Sequence, residues 1–305
     1  MSENMRGIYS IPCTPFTENL ELDEKSLISI INFIVASGAH GIVAPVNASE
    51  FNVLTDDERL RVVEICVKAT DKRLPFIAGV AGVHIQSAIM FAKHAEEAGA
   101  DGLIAMPPYL IKATEAEIFK YFHAISSNVN IPIFIQNFVP PGGTSMSGEF
   151  VAKMIREIEH VDYVKEETQY AGHVITELMN LLKGNEKFRG VMGGKAGRYI
   201  IDEYNRGCCG NMPACEVSDI QAKIWDKLEK GDQAGAVQIY NQVLPLLNME
   251  SQYGATLYKE VLYRRGIIDN PSVRSLGNRH LDSFDHKELD RIMDEIKDLL
   301  IEFSR

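Results

Sequence analysis

Several things are scarce in this sequence of 305 residues, and each scarcity closes a route. Cysteine occurs five times, at Cys13, Cys66, Cys208, Cys209 and Cys215, and forms no CxxC pair. Neither a disulfide scaffold nor a zinc site has its usual spacing, and the adjacent Cys208-Cys209 is poorly placed for a mutual disulfide. A reducing cytoplasm is the expected location. Positive charge is the minor sign: 31 Lys and Arg stand against 42 Asp and Glu, a net charge of −11. That balance disfavours a general grip on nucleic acid or an anionic membrane and makes a small molecule the expected partner. The opening MSENMRGIYS lacks the basic start and apolar run of an export signal. No GxGxxG closes the first strand-like run, and neither GxSxG nor HExxH occurs. Nicotinamide binding, serine hydrolysis and zinc proteolysis therefore lack their usual handles. Gly193-Gly194-Lys195 is no P-loop, because Arg189 stands where the first Gly belongs and Ala196 where Ser or Thr should follow. The densest set of potential metal ligands, His280, Asp282, Asp285 and His286, falls in a polar C-terminal connection and reads as a solvated loop, so no metal is expected.

What is abundant is apolar residues, 46% of the chain, enough for a large core. From Ser26 to Ser49 no Asp, Glu, Lys or Arg occurs, yet this is no membrane span. Leu27, Ile30, Ile31 and Ile34 recur at helical spacing, Ser37-Gly38 stops them, and Gly41 to Val46 reads as a short buried strand. The alternation repeats. Apolar runs at Ile8 to Pro12, Gly41 to Val46, Phe76 to Val80, Gly102 to Met106, Ile133 to Gln136, Tyr163 to Lys165, Arg189 to Met192 and Gly207 to Gly210 are eight candidate strands, each followed by a helical pattern. Strands apolar throughout belong to parallel sheets covered on both faces. Eight such units in about 220 residues predict a (β/α)8 TIM barrel over residues 1–228. A doubly wound open sheet is the alternative. Residues 229–305 read as a C-terminal helical extension packed on the barrel, with breaks at Gly231, Pro245 and Gly266 to Gly277.

In such a barrel the ends of the strands carry the chemistry. Those positions hold Thr14, Asn47 to Glu50, Pro107 to Tyr109, Gln136-Asn137, Lys165, and Gly193 to Lys195. Lys165 ends a strand expected to be buried on both faces. Desolvation there would favour the neutral amine, which a nucleophile attacking a carbonyl requires. Alternatively, Lys165 opens a loop and pairs with Glu166 or Glu167 at the surface.

Cys13-Thr14-Pro15-Phe16, Gly38 to Glu50 with Leu54 and Glu58-Arg59, Pro107-Pro108-Tyr109, Val164-Lys165-Glu166, and Lys259 with Gly266 together resemble the dihydrodipicolinate synthase and N-acetylneuraminate lyase family of class I aldolases. The resemblance runs from Gly7 to about Gly277 and implies a (β/α)8 barrel with extra C-terminal helices. It also implies a lysine, here Lys165, that forms a Schiff base with pyruvate or a 2-keto acid without any separate cofactor. A homodimer or homotetramer is implied as well.

The sequence departs from the family pattern at three places. The loop that binds the keto-acid carboxylate reads Val46-Asn47-Ala48-Ser49-Glu50, so Asn47, Ala48 and Ser49 become the expected substrate contacts. Strand five, where the family has Tyr-Asn-x-Pro, reads Gln136-Asn137-Phe138-Val139, and the position after Tyr109 is Leu110. Both hydroxyls of the family's proton relay are thus replaced, and authentic dihydrodipicolinate synthesis is disfavoured. Gln136 with Lys165-Glu166-Glu167 resembles more closely the branch that dehydrates 2-keto-3-deoxy sugar acids. Glu167 is then the expected acid or base, returning to the face of Lys165 two residues on. Tyr109 is a candidate acid or substrate contact, Gln136 and Asn137 are expected beside the substrate, and Gly193, Gly194 and Lys195 are expected at its hydroxylated tail. The alternatives are a pyruvate aldol condensation of the synthase type, a non-catalytic keto-acid binding protein on the same barrel, and, least supported, a metal-dependent barrel aldolase.

Overall fold

The structure is a computed structural model that describes residues 4–138, 144–277 and 279–305. The Val139 to Gly143 stretch noted in the sequence lies outside the described residues. Strands β1 (Gly7–Ser10), β2 (Gly41–Ala44), β3 (Phe76–Gly79), β4 (Gly102–Ala105), β5 (Ile133–Asn137), β6 (Val161–Glu166), β7 (Gly190–Gly193) and β8 (Gly210–Asn211) close into a barrel in sequence order. Helices α1 (Glu24–Ala36), α2 (Asp56–Thr70), α3 (Ile85–Ala98), α4 (Glu115–Ser126), α5 (Gly148–Glu157), α6 (Ala171–Leu181), α7 (Ile200–Asn205) and α8 (Ser218–Glu229) follow the strands in turn. Then come α9 (Gln233–Tyr253), α10 (Ala255–Arg264) and α11 (Ser283–Ile296). This is the expected (β/α)8 barrel and not the open sheet. Strand residues are buried throughout β4, β5 and β6, which is why these segments read as unbroken apolar runs. The charge-free stretch from Ser26 to Ser49 is spent on α1 and β2, and among the described residues no helix is long and apolar enough to cross a membrane.

Two compact units divide the chain. The first comprises Met1–Arg6, Pro75–Lys195 and Tyr199–Met212, and so holds β3 to β8 with α3 to α7. Within it β5 and β6 pair in parallel, Phe134 opposite Tyr163 and Gln136 opposite Lys165. The rings of Phe134 and Tyr163 stack 4.2 Å apart, and two residues on, on the same face, Gln136 and Lys165 stand side by side. An aromatic floor therefore lies directly below the lysine, and the Tyr163 hydroxyl is turned the other way, accepting from the Met5 N–H.

The second unit comprises Gly7–Leu74, Ala196–Arg198 and Pro213–Arg305. In it α9 lies along α8, and α10 and α11 lie against α9. Two sequence motifs acquire structural partners here. Glu50, 1% exposed, forms an ion pair with the fully buried Lys259 of α10 and accepts from the N–H groups of Arg274 and Ser275 at 3.0 and 2.7 Å. Glu58, which closes the capping box of Thr55 at the start of α2, also takes both arms of Arg274 at 2.7 Å. The Lys259 ammonium and the Arg274 guanidinium both lie 4.2 Å from the Phe16 ring centroid. Removing one partner of a buried ion pair strands the other charge, so Lys259→Met is expected to cost about 3–5 kcal/mol in urea unfolding. A loss below about 1 kcal/mol, the range of an exposed pair, would contradict that role.

Four local expectations need correction. Pro245 does not break the chain; it lies inside α9. The helix continues because Ile239, Val243, Leu246 and Leu247 are buried along one side, while the carbonyl that Pro245 leaves unbonded belongs to the exposed Asn241. The helix expected from Gly194 starts only at Ile200, because Lys195 and Ala196 have φ of 48° and 61° and interrupt it. The eighth strand is shifted: Gly207, at φ 93°, ends α7, and pairing begins with Cys209 N–H to the Val191 carbonyl, so that β8 reaches Asn211. The stretch holding Asp282, Asp285 and His286, read as a solvated loop, is the start of a helix. Asp282 caps α11 through the N–H groups of Phe284 and Asp285, Asp285 returns a bond to the Asp282 N–H, and His286 faces Arg264.

Candidate active site

The first unit gathers Lys165, Glu167, Gln136 and Lys195 at the ends of β5, β6 and β7. Lys165 is 2% exposed, and its ammonium stands 3.0 Å from Glu167 Oε2. The ion pair with Glu167 is thus real but buried, where the sequence left open a surface pair. Glu167 stays on the face of Lys165 because its N–H still bonds the Asn137 carbonyl at 3.0 Å, carrying the β5–β6 pairing one residue past the strand. Gln136 donates its amide to the same Oε2 at 2.7 Å, and the Lys195 N–H donates to Oε1 at 3.2 Å. Burial pushes the Glu167 carboxyl up, but the charge of Lys165 and these three donors outweigh it and hold the group below the usual carboxylate range. Gln136 is therefore no relay. It fixes the orientation of a carboxylate that already faces the amine.

The neighbouring residues face the other way. Asn137 Nδ2 donates to Glu166 Oε2 at 2.8 Å and to the Met146 carbonyl at 3.1 Å, and Asn137 Oδ1 accepts from the Met146 N–H. Glu166 Oε1 accepts from the Thr168 N–H at 2.8 Å and from its hydroxyl. Asn137, expected beside the substrate, is thus committed to tying down the segments around Met146 and Glu166. Burial pushes the Glu166 carboxyl up, against the hydrogen bonds from Thr168 and Asn137.

Lys195 sends its ammonium to the Thr168 carbonyl at 2.9 Å, so both its ends are tied to the β6 loop. A Cβ on Gly194 would overlap Glu167 Oε1, which makes the glycine a matter of close approach and not of turn geometry alone. Glu167 and Lys195 line, with Phe138, Met146 and Thr168, a cavity of about 630 Å³, a size suited to a small molecule. Tyr109 lies half-buried in the loop after β4. Asn47, Ala48 and Ser49 form a single 3-10 turn in the second unit. There the Ser49 hydroxyl donates to the Pro12 carbonyl at 2.7 Å, and the Ser49 carbonyl accepts from Thr14, so that hydroxyl holds the β1 and β2 ends together.

Two residues at this site escaped the sequence reading, Glu203 of α7 and Asn211 of β8. Asn211 Nδ2 donates to Glu203 Oε2 at 2.7 Å beneath Gly193. Asn211 ends a strand and would have been noticed had the eighth strand been extended by one residue. Glu203 carries no local signal.

The protein is thus a parallel eight-stranded barrel with a buried lysine on its sixth strand paired to a carboxylate. The sequence profile of the dihydrodipicolinate synthetase family matches residues 4–293, and the chain belongs to that family. The L-2-keto-3-deoxyarabonate dehydratase of Azospirillum brasilense is 31% identical over 264 residues, covering 86% of this chain and 84% of that one. The 4-hydroxy-tetrahydrodipicolinate synthase of Agrobacterium fabrum is 30% identical over 239 residues, covering 78% and 80%. The dihydrodipicolinate synthase of Thermotoga maritima shares the fold at a TM-score of 0.88 and 20% identity, over 98% of this chain and all of the other.

Proposed function

We propose that the protein is a Schiff-base lyase that removes water from a 2-keto-3-deoxy sugar acid. The observation that carries this reading is the Lys165, Glu167 and Gln136 constellation: an amine and a carboxylate 3.0 Å apart, with a carboxamide where the family has a phenol. Lys165 gives its proton to water and attacks the C2 ketone; the carbinolamine hydroxyl takes a proton back from water and leaves as water, and the imine remains. The imine acidifies the C3 proton, which Glu167 accepts. The enamine then expels the C4 hydroxyl, to which Glu167 returns its proton, and water leaves. Transfer of a C5 proton to C3 and of the C5 hydroxyl proton to C4 turns the unsaturated imine into a C5 aldehyde, and a water hydrolyses the imine, freeing Lys165 and the 2-keto-acid semialdehyde. One group thus serves as base and acid, and no phenol chain is needed. The relative named as a dehydratase and those named as synthases are about equally similar in sequence, so the support comes from the site. Gln136 cannot exchange protons near neutral pH but can hold the carboxylate that does.

The test offers L-2-keto-3-deoxyarabonate, other 2-keto-3-deoxy acids and pyruvate. The expected result is a 2-keto-acid semialdehyde from one of the sugar acids, and a reduced adduct on Lys165 when cyanoborohydride is added with pyruvate. Pyruvate release from the sugar acid would replace dehydration by retro-aldol cleavage. Absence of any adduct would overturn the Schiff base itself and favour a binding protein.

A further inference from the structure

Gly193 and Gly194 are wedged between two carboxyl groups. A Cβ on Gly194 would overlap Glu167 Oε1, and one on Gly193 would overlap Glu203 Oε2 and stand 2.6 Å from Asn211 Nδ2. Both carboxyls therefore press on the bare backbone of the loop whose next residue, Lys195, donates its N–H to Glu167. The chemistry proposed above makes no use of Glu203, which is 2% exposed on α7. Its Oε2 accepts from Asn211 Nδ2, while Asn211 Oδ1, also buried, has no donor among the described residues. A carboxylate only accepts and leaves that oxygen without a donor, whereas a protonated carboxyl supplies one. A buried acceptor without a donor costs about 1–3 kcal/mol, so the protonated form is the one this pairing favours.

We propose that Glu203 is a positioning residue of this site that works in its neutral, protonated form: acid and amide pair beneath Gly193 and hold the loop where the Lys195 N–H grips Glu167, adding no second negative charge beside it. Around Glu203 stand Glu167 after β6, Lys195 after β7, Asp202 on α7, Cys208 after α7 and Asn211 on β8. Burial, reinforced by the charges of Glu167 and Asp202 and opposed by the Asn211 amide and Lys195, pushes the Glu203 carboxyl up to about 8. Ionisation at higher pH would break the acid–amide pair and repel Glu167 through the glycines. Only the activity arm of the following test rests on the Schiff-base reading.

The first arm uses the protein alone. Equilibrium unfolding of wild type and Glu203→Gln is compared from pH 6 to 9.5, the glutamine standing in for the neutral acid. The folded carboxyl lies above its unfolded value, so the stability it adds is complete at acid pH and is lost as the pH rises to about 8. Relative to Glu203→Gln, the wild-type unfolding constant is expected to rise by up to about tenfold per pH unit and to level off above pH 8. Parallel curves would overturn the proposal. The second arm measures turnover of the sugar acid that wild type dehydrates, the reaction whose proton transfers use Glu167. At pH 7 Glu203→Gln should stay within about threefold of wild type while Glu203→Ala falls about tenfold or more, the cost of a misplaced loop. Above pH 8 wild type should fall behind Glu203→Gln. A pH-independent ratio, or a Glu203→Ala rate equal to wild type, would overturn it. If wild type dehydrates no sugar acid, the dehydratase reading falls, and the unfolding arm still decides the state of Glu203.

Discussion

Lys165→Ala is expected to lower turnover of the dehydrated sugar acid by about four orders of magnitude or more, since the covalent route disappears with the amine. No cyanoborohydride adduct should form. Because alanine also removes the partner of Glu167, a companion variant is needed to separate chemistry from charge. Lys165→Arg keeps a cation in front of Glu167, but a guanidinium stays protonated and forms no imine. It should be equally inactive with a nearly native unfolding curve. In Lys165→Ala the Glu167 carboxylate retains Gln136 and the Lys195 N–H. It nevertheless loses its buried counter-charge, so the stability loss should be about 3–5 kcal/mol, as at Lys259. Turnover within tenfold of wild type in either variant would remove Lys165 from the mechanism.

The second large effect is expected at Glu167, and it divides the reaction in two. Glu167→Gln preserves shape and can still accept from the Lys195 N–H, but it can neither take the C3 proton nor return it. Turnover should fall by about 10²–10⁴-fold, the usual contribution of a positioned acid–base group. The pyruvate adduct on Lys165 should still be trapped, because imine formation precedes the step that needs Glu167. Loss of trapping together with turnover would assign Glu167 to activation of the amine. The pH dependence has a definite sign. Lys165 and the hydrogen bonds hold the Glu167 carboxyl below its ordinary value. Its contribution to stability is therefore present above the unfolded carboxylate range and is lost as the pH falls through the folded value. Wild-type stability should decline faster than that of Glu167→Gln below about pH 4.

The barrel was legible because its strands are buried on both faces and its helices carry apolar stripes, so the alternation of the two is written locally. The strand-six lysine was legible for the same reason: a cation inside an apolar run is conspicuous. What was not legible depends on contacts between distant segments. Glu167 and Gln136 are 31 residues apart, and their bond follows from the β5–β6 register, which no single segment encodes. Asn137 looked equivalent to Gln136 until alternation on a strand turned its amide to the opposite side. Glu203 lies in a short helix among other charged residues, and only its approach to Gly193 gives it meaning. Pro245 misled because burial along α9 outweighs the roughly 3 kcal/mol that a proline costs a helix interior.

The alternation along β5 and β6 also bears on how such a protein can diversify. Positions 136, 165 and 167 face one way and carry the groups assigned to the proposed reaction, while 137 and 166 face the other and clamp the surrounding loops. On the proposed reaction, a phenol exchanged for a carboxamide at 136 would change which bond is broken without touching the clamp. New reactions are accordingly open to point substitution on one side of these two strands. A single inserted residue, by contrast, would swap reagent for clamp and lose both.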